Sequence, residues 1–221
     1  MANQDLEKDS LFKEIDEELR HENYAKLWKR YGKYLVGIVF LFVASVAIYQ
    51  GWEKYDENRR SEDSTLYAKA IRAITQNKID EASVALTRLA EDGTKGYSTL
   101  ARLNQAGMQV RLGDLRGGAT AYLSIANDLK VDVIFRDLAL VLSAMHDINN
   151  GDPKELTNRV QRLTVSSNPW RHTAKELSAI MAQKSGDQKR AKKLFEELAD
   201  DVTAPAGIRA RAAEMSAISG S

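Results

Sequence analysis

The chain contains no cysteine, which excludes disulfides, thiolate zinc sites, iron–sulfur clusters and a cysteine nucleophile. It leaves the compartment open, since cysteine-free proteins occur on both sides of a membrane. Proline is scarce, with three in 221 residues, and alternating β-branched runs are few, so helix is the dominant expectation. An excess of charge of one sign is lacking too. The net is +1, and no basic field argues for nucleic acid. Also missing are a G-x-S-x-G elbow, a phosphate loop and a dinucleotide fingerprint. Gly117-Gly118 lacks the lysine of a phosphate loop and reads as the first turn of a helix. His21, His146 and His172 stand far apart, without metal-ligand spacing or a carboxylate motif. His146 lies in an apolar helix and reads as structural. Acid runs such as Asp16-Glu17-Glu18 and Asp200-Asp201 read as solvated faces. No catalytic residue, metal ligand or cofactor is assigned, and a non-enzymatic protein is expected.

What is present begins with one long apolar run, YLVGIVFLFVASVAIYQGW from Tyr34 to Trp52. Lys33 and Glu53 bound these 19 uncharged residues. As a helix they would extend roughly 28 Å, close to the ~30 Å hydrocarbon core of a bilayer. Leu35, Phe40 and Phe42 would face acyl chains, and Tyr34, Tyr49 and Trp52 would sit at the headgroup layers, where aromatic rings are favoured. A buried core helix is the soluble alternative, but such helices are seldom uncharged on every face for five turns. A signal peptide cleaved after Ser45-Val46-Ala47 is another. It fits poorly with a preceding arm of 33 residues that is rich in acids. An uncleaved signal-anchor is therefore expected. In the 15 residues before the run stand Arg20, Lys26, Lys29, Arg30 and Lys33, against Lys54, Arg59 and Arg60 in the 15 after it. The more basic flank stays cytoplasmic, so Lys26, Lys29, Arg30 and Lys33 would set an N-in, C-out topology.

The arm, 1–33, holds a short amphipathic helix in which Phe12, Ile15 and Leu19 share one face. It suits docking on a partner, lying along the membrane, or plain solvation. After a charged linker, 53–62, helical spacing continues to the end. Turn signals interrupt it at Asn77-Lys78-Ile79-Asp80, Gly113-Asp114, Gly151-Asp152-Pro153 and Gly186-Asp187. The four aspartates are 34, 38 and 35 residues apart. Each glycine or asparagine is placed to end a helix in the left-handed conformation, and each aspartate to cap the next. Pro153 then takes the favoured first helical position. A break near every 34 residues marks stacked helical hairpins of the tetratricopeptide (TPR) type.

The expected architecture is all-α: one transmembrane helix, then a TPR-like α-solenoid over 63–221. That solenoid comprises about four hairpins and a final covering helix near Pro205–Ile218. A non-repeat helical bundle is the alternative. The expected core includes Ala70, Ala73, Ala82, Leu86 and Leu89 in the first hairpin. The second contributes Leu103, Ala106, Gly107, Val110, Ala119, Leu123 and Ala126, and the fourth Ala179, Ala191, Phe195 and Leu198. The third departs from the pattern, with Leu156 where a small alanine is expected. First helices of such hairpins line the binding face. This register exposes Asn104, Met108 and Arg111 in the second hairpin, and Thr173, Glu176 and Gln183 in the fourth, as the candidate partner-binding groove.

The segment Tyr31-Gly32-Lys33-Tyr34-Leu35, leading into a single span behind a short arm and a degenerate TPR domain, resembles the YfgM-type ancillary subunit of the bacterial Sec translocon. The arm DSLFKEIDEELRHENYAKLWKRYG is similar to the alphaproteobacterial version of that family. The resemblance implies a bitopic inner-membrane protein with a periplasmic C-terminal domain. It also implies association with the SecYEG channel and with periplasmic chaperones such as PpiD, and it brings no catalytic residues. An envelope TPR scaffold of another complex, in cell-wall or division machinery, is the competing reading.

Overall fold

A chain with helical periodicity, few prolines and short glycine- or aspartate-bearing turns folds as successive helices. The computed structural model describes the backbone of residues 2–219 and the side chains of residues 28–219. Among these, nine α-helices and no strand are present. They are α1 (Ala2–Thr75), α2 (Ile79–Asp92), α3 (Lys95–Arg111), α4 (Leu115–Asn127) and α5 (Val133–Asp147). After them come α6 (Pro153–Gln161), a 3-10 turn (Arg162–Thr164), α7 (Arg171–Lys184), α8 (Gln188–Asp200) and α9 (Ala206–Ile218). The chain divides between Asn58 and Arg59 into two compact units.

The first unit is helical throughout its described backbone. The side chains of Phe12, Ile15, Leu19 and Lys26 lie outside the described residues. Along the apolar run the large side chains have no protein around them: Phe40 is 72% exposed and Trp52 74%. The Ser45 hydroxyl donates to the Leu41 carbonyl at 2.8 Å, which satisfies a polar group without water. Before the run, Arg30 and Lys33 lie over the rings of Tyr31 and Tyr34, at 5.7 and 5.1 Å. Among the described residues, one helix is long and apolar enough to cross a membrane.

The second unit is a stack of four hairpins with α9 at its end: the last turns of α1 with α2, then α3 with α4, α5 with α6, and α7 with α8. Three apolar clusters follow the chain. Ala70 and Ala73 meet Ala82, Leu86, Leu89 and Ala101 in the first. Leu103, Tyr122, Ile125, Leu140, Leu156 and Met181 belong to the second. Phe195, Leu198, Ile208 and Ala212 form part of the third, where α9 covers α8. Core-forming contacts between neighbouring hairpins are what a solenoid uses in place of one central core.

The turns show why glycine or asparagine stands where it does. Asn77, Gly113 and Gly186 have φ of 59°, 96° and 84°, the left-handed conformation that closes a helix. The amides of Lys78, Asp114 and Asp187 then reach back five residues to the carbonyls of Ala73, Gln109 and Ala182. Gly151 does not follow suit: its φ is not positive, and its amide donates to the Asp147 carbonyl at 2.7 Å. Asp114, Asp152 and Asp187 cap their helices through the amides of Gly117, Lys154 and Arg190. Asp80 does not cap. The helix begins at Ile79 with Lys78 in the cap position, so Asp80 lies inside the first turn.

Gly117 and Gly118 both fall in the first turn of α4, as expected. A Cβ on Gly118 would sit 2.4 Å from Val110 Cγ2, so glycine there lets α4 lie close against α3. The third hairpin is irregular, as Leu156 signalled. That side chain is fully buried, α6 has nine residues, and the 3-10 turn follows at once.

Candidate functional site

The face built by first helices of the hairpins contains a cavity of about 310 Å³. Ile74 of α1, Leu100, Leu103, Asn104, Gly107, Met108 and Arg111 of α3, Tyr122 of α4 and Leu138 of α5 line it. The spacing from Leu100 to Arg111 follows one helical stripe, so α3 supplies most of the wall.

The walls are apolar, and the polar atoms are few and separate. Asn104 Nδ2 donates to Tyr67 Oη at 3.0 Å and to the Leu100 carbonyl at 2.8 Å. Its Oδ1 has no hydrogen-bond partner among the described residues. Arg111 is exposed, and its nearest polar contact is the Ile74 carbonyl at 3.5 Å. Tyr122 is buried and stacks on His146, with ring centroids 5.9 Å apart. A Cβ on Gly107 would lie 3.0 Å from its hydroxyl, so the small residue makes room for the phenol. Burial pushes the Tyr122 phenol above its ordinary pKa, so it remains protonated and able to donate at neutral pH. An apolar pocket with one donor, one acceptor and a guanidinium suits an extended peptide whose side chain enters while its backbone is hydrogen-bonded.

Sequence reasoning placed Asn104, Met108 and Arg111 together, and all three line this cavity. Met108 corrects the expectation of exposure: it is 7% exposed and forms part of the cavity wall and of the first core cluster. It shares that cluster with Ala82, Ala85 and Leu86 of α2. The fourth-hairpin residues do not join them. Thr173, Glu176 and Gln183 are half-buried on α7. Glu176 is held by Arg211 of α9, through bonds of 2.8 and 3.0 Å, so it is not an open contact. Tyr122 and Leu138 were missed. The stripe Ala119, Tyr122, Ala126 was available, but weighting Leu123 shifted the register of α4 by one position. Leu123 is half-buried instead.

His172 gains a carboxylate neighbour that sequence distance concealed. It is buried, with Nδ1 at 3.4 Å from Asp201 and Nε2 at 3.5 Å from Thr203 Oγ1. The Thr203 hydroxyl donates to Asp201 at 2.6 Å and the Thr203 amide at 2.9 Å. Those bonds, with His172 and Arg171 adding to them, hold the Asp201 carboxyl below the usual carboxylate range. The threonine proton is committed to the carboxylate, so the trio ties α7 to the turn before α9 rather than presenting a nucleophile. Among the described residues no group of metal-ligating side chains is found. A larger space of about 940 Å³ lies between α1 and α2, lined by both signs of charge. Lys69 pairs across it with Glu81, and Arg59 donates to the Asp92 carbonyl. It is the open flank of the first hairpin, where no earlier hairpin stacks.

No curated protein and no solved structure matches the chain. A tetratricopeptide repeat-like domain is matched over residues 25–148, more than half of the sequence and including both the apolar run and the cavity-lining residues, and the chain belongs to that family.

Proposed function

We propose that this protein is a membrane-anchored, non-enzymatic scaffold whose TPR-like unit holds protein partners outside the bacterial inner membrane. Its parts are a cytoplasmic arm (1–33), a span (34–52), a charged linker (53–62) and a periplasmic repeat domain (63–221). Its role is that of an ancillary subunit of the Sec translocon, connecting SecYEG with periplasmic chaperones such as PpiD during export. The scaffold reading rests on the first-helix cavity, whose Asn104 Oδ1 and Tyr122 hydroxyl have no hydrogen-bond partner among the described residues and stand beside an apolar wall. TPR-like domains bind proteins rather than catalyse, which agrees with that chemistry. The translocon assignment is supported by the resemblance of the arm and of Tyr31-Gly32-Lys33-Tyr34-Leu35.

A photo-crosslinking amino acid at position 104 or 111, activated in native membranes, tests both levels. Adducts with channel subunits or a periplasmic chaperone are expected, and none from position 149. Asn104→Ala with Arg111→Glu should reduce the partner captured by the full-length protein at least about tenfold, the loss of one or two good polar contacts. Adducts exclusively with cell-wall or division proteins would overturn the translocon role. An undiminished capture by the double variant would remove the cavity from the interaction.

A further inference from the structure

Antiparallel hairpins place every second turn on the same edge of the stack. The turns α2–α3, α4–α5, α6–α7 and α8–α9 therefore form one row, and side chains bind each to the next. Lys95 pairs with Asp132. Arg162 and Asn168 both reach Asp137, at 3.2 and 2.8 Å. Arg171 donates to Thr203 at 3.2 Å. The second unit also begins at this row: Arg59 donates to the Asp92 carbonyl at 2.6 Å, and Asp63 accepts from the Thr94 amide at 2.6 Å.

The row presents large apolar side chains to solvent at each of its later turns. Leu129 and Val202 are each 83% exposed, and Val133, Ile134 and Val165 more than half. The opposite row is made of Asn77, Gly113, Gly151 and Gly186 with their aspartates. Its exposed large apolar side chains are Leu112 and Leu115. A succession of apolar tips along one edge is a surface meant to be covered.

Two observations identify the covering phase. Arg59 follows Trp52 by seven positions, a stretch of no more than about 25 Å even when fully extended. A bilayer holding Trp52 at its surface is thus within reach of the row's first residue, whatever the conformation between. At the α4–α5 turn the acids are paired, Asp132 with Lys95 and Asp128 with Arg102 at 2.7 Å, whereas Glu91, Asp92 and Asp200 elsewhere on the row are exposed. Lys130, beside Leu129, remains exposed. At Leu129, paired acids and an exposed lysine limit the repulsion that an anionic lipid surface would otherwise exert there.

We infer that this row of turns is a lipid-contacting edge, with Leu129, Val165 and Val202 entering the headgroup–acyl boundary of the bilayer. The inference rests on the span proposed above. The absence of cysteine makes its test clean. Single cysteines at 129, 165 and 202, and at 149 and 185 on the opposite row, are labelled with an environment-sensitive dye in the full-length protein. The labelled protein is reconstituted into vesicles of zwitterionic lipid with about a third anionic lipid, a range in which surface charge is appreciable.

Lipids carrying a shallow nitroxide should quench the labels at 129, 165 and 202 and leave those at 149 and 185 unaffected. Iodide in the aqueous phase should give the reverse. Equal iodide quenching of both rows would overturn the inference, as would shielding of the first row that appears only when membrane protein extract is added, which would indicate a protein partner. Alkaline carbonate extraction of the same vesicles separates the two levels. A protein that is extracted has no span, and both readings fall. A retained protein with an iodide-accessible row defeats only the lipid edge.

Discussion

Phe195 and Asp187 stand two turns apart on α8 and its cap and act through different physics. The Phe195 ring is buried to within 1% among Leu198, Ile208 and Ala212, so truncation removes both transfer energy and packing. Phe195→Ala should lower stability by about 3–5 kcal/mol. Asp187→Ala removes one cap bond, of 3.0 Å to the Arg190 amide, and should cost about 1 kcal/mol. Asp80→Ala, at a position that looked equivalent, should cost under about 0.5 kcal/mol because no cap bond is lost. Thermal unfolding of the three full-length variants in detergent reads the order directly. A cost at Asp80 equal to that at Asp187 would contradict the cap assignment. The comparison also shows what single residues reveal from sequence. Phe195, Ala191 and Leu198 were legible because their i, i+4 and i+7 spacing admits one buried face. Asp80 was misread because a two-position shift of a helix start, with Lys78 rather than Asp80 at the cap, is invisible to spacing. Met108 was misread because its burial depends on another helix, which supplies Ala82, Ala85 and Leu86 to the same cluster.

At the scale of elements, the repeat period was legible because left-handed turns demand glycine or asparagine, and these recur with the hairpins. The third hairpin was legible only as an exception. Leu156 warned that close packing would fail, but no local pattern records the nine-residue length of α6 or the 3-10 turn that follows it. The attachment of α9 was equally hidden. It is joined to α7 by the Glu176–Arg211 pair and by the turn that holds Asp201 against His172 and Thr203. The Asp201 carboxyl is held below its ordinary pKa. Its charge-dependent contribution is therefore present above the unfolded value of about 3.9 and is lost as pH falls through the lower folded value. Asp201→Asn should melt below wild type at pH 7, and the gap should narrow as pH falls below the unfolded value. Melting curves across that interval check it. A gap unchanged down to the lowest pH would assign the junction to shape and neutral hydrogen bonds alone.

For the whole molecule, the decisive contrast lies between a run of large side chains with nothing packed around them and a repeat unit that buries its own. Phe40, Phe42 and Trp52 are 72%, 69% and 74% exposed, and water is a poor environment for so many large apolar side chains side by side. A bilayer would remove that cost, and the proposed orientation rests on five basic residues before the run against three after it. The predicted topology keeps Lys29, Arg30 and Lys33 in the cytoplasm and the repeat unit on the far side. Single cysteines at positions 8 and 185 provide the measurement in intact spheroplasts, with a thiol reagent that does not cross the inner membrane. Labelling at 185 and protection at 8 are expected, with both labelled after lysis. The reverse pattern would place the cavity and the turn row in the cytoplasm, where a periplasmic chaperone cannot reach Asn104 or Arg111. Reversing Lys29, Arg30 and Lys33 to glutamate should invert part of the population, since the remaining basic excess would then lie beyond Trp52. Unchanged labelling in that variant would show that folding of the repeat unit, rather than flanking charge, sets the orientation.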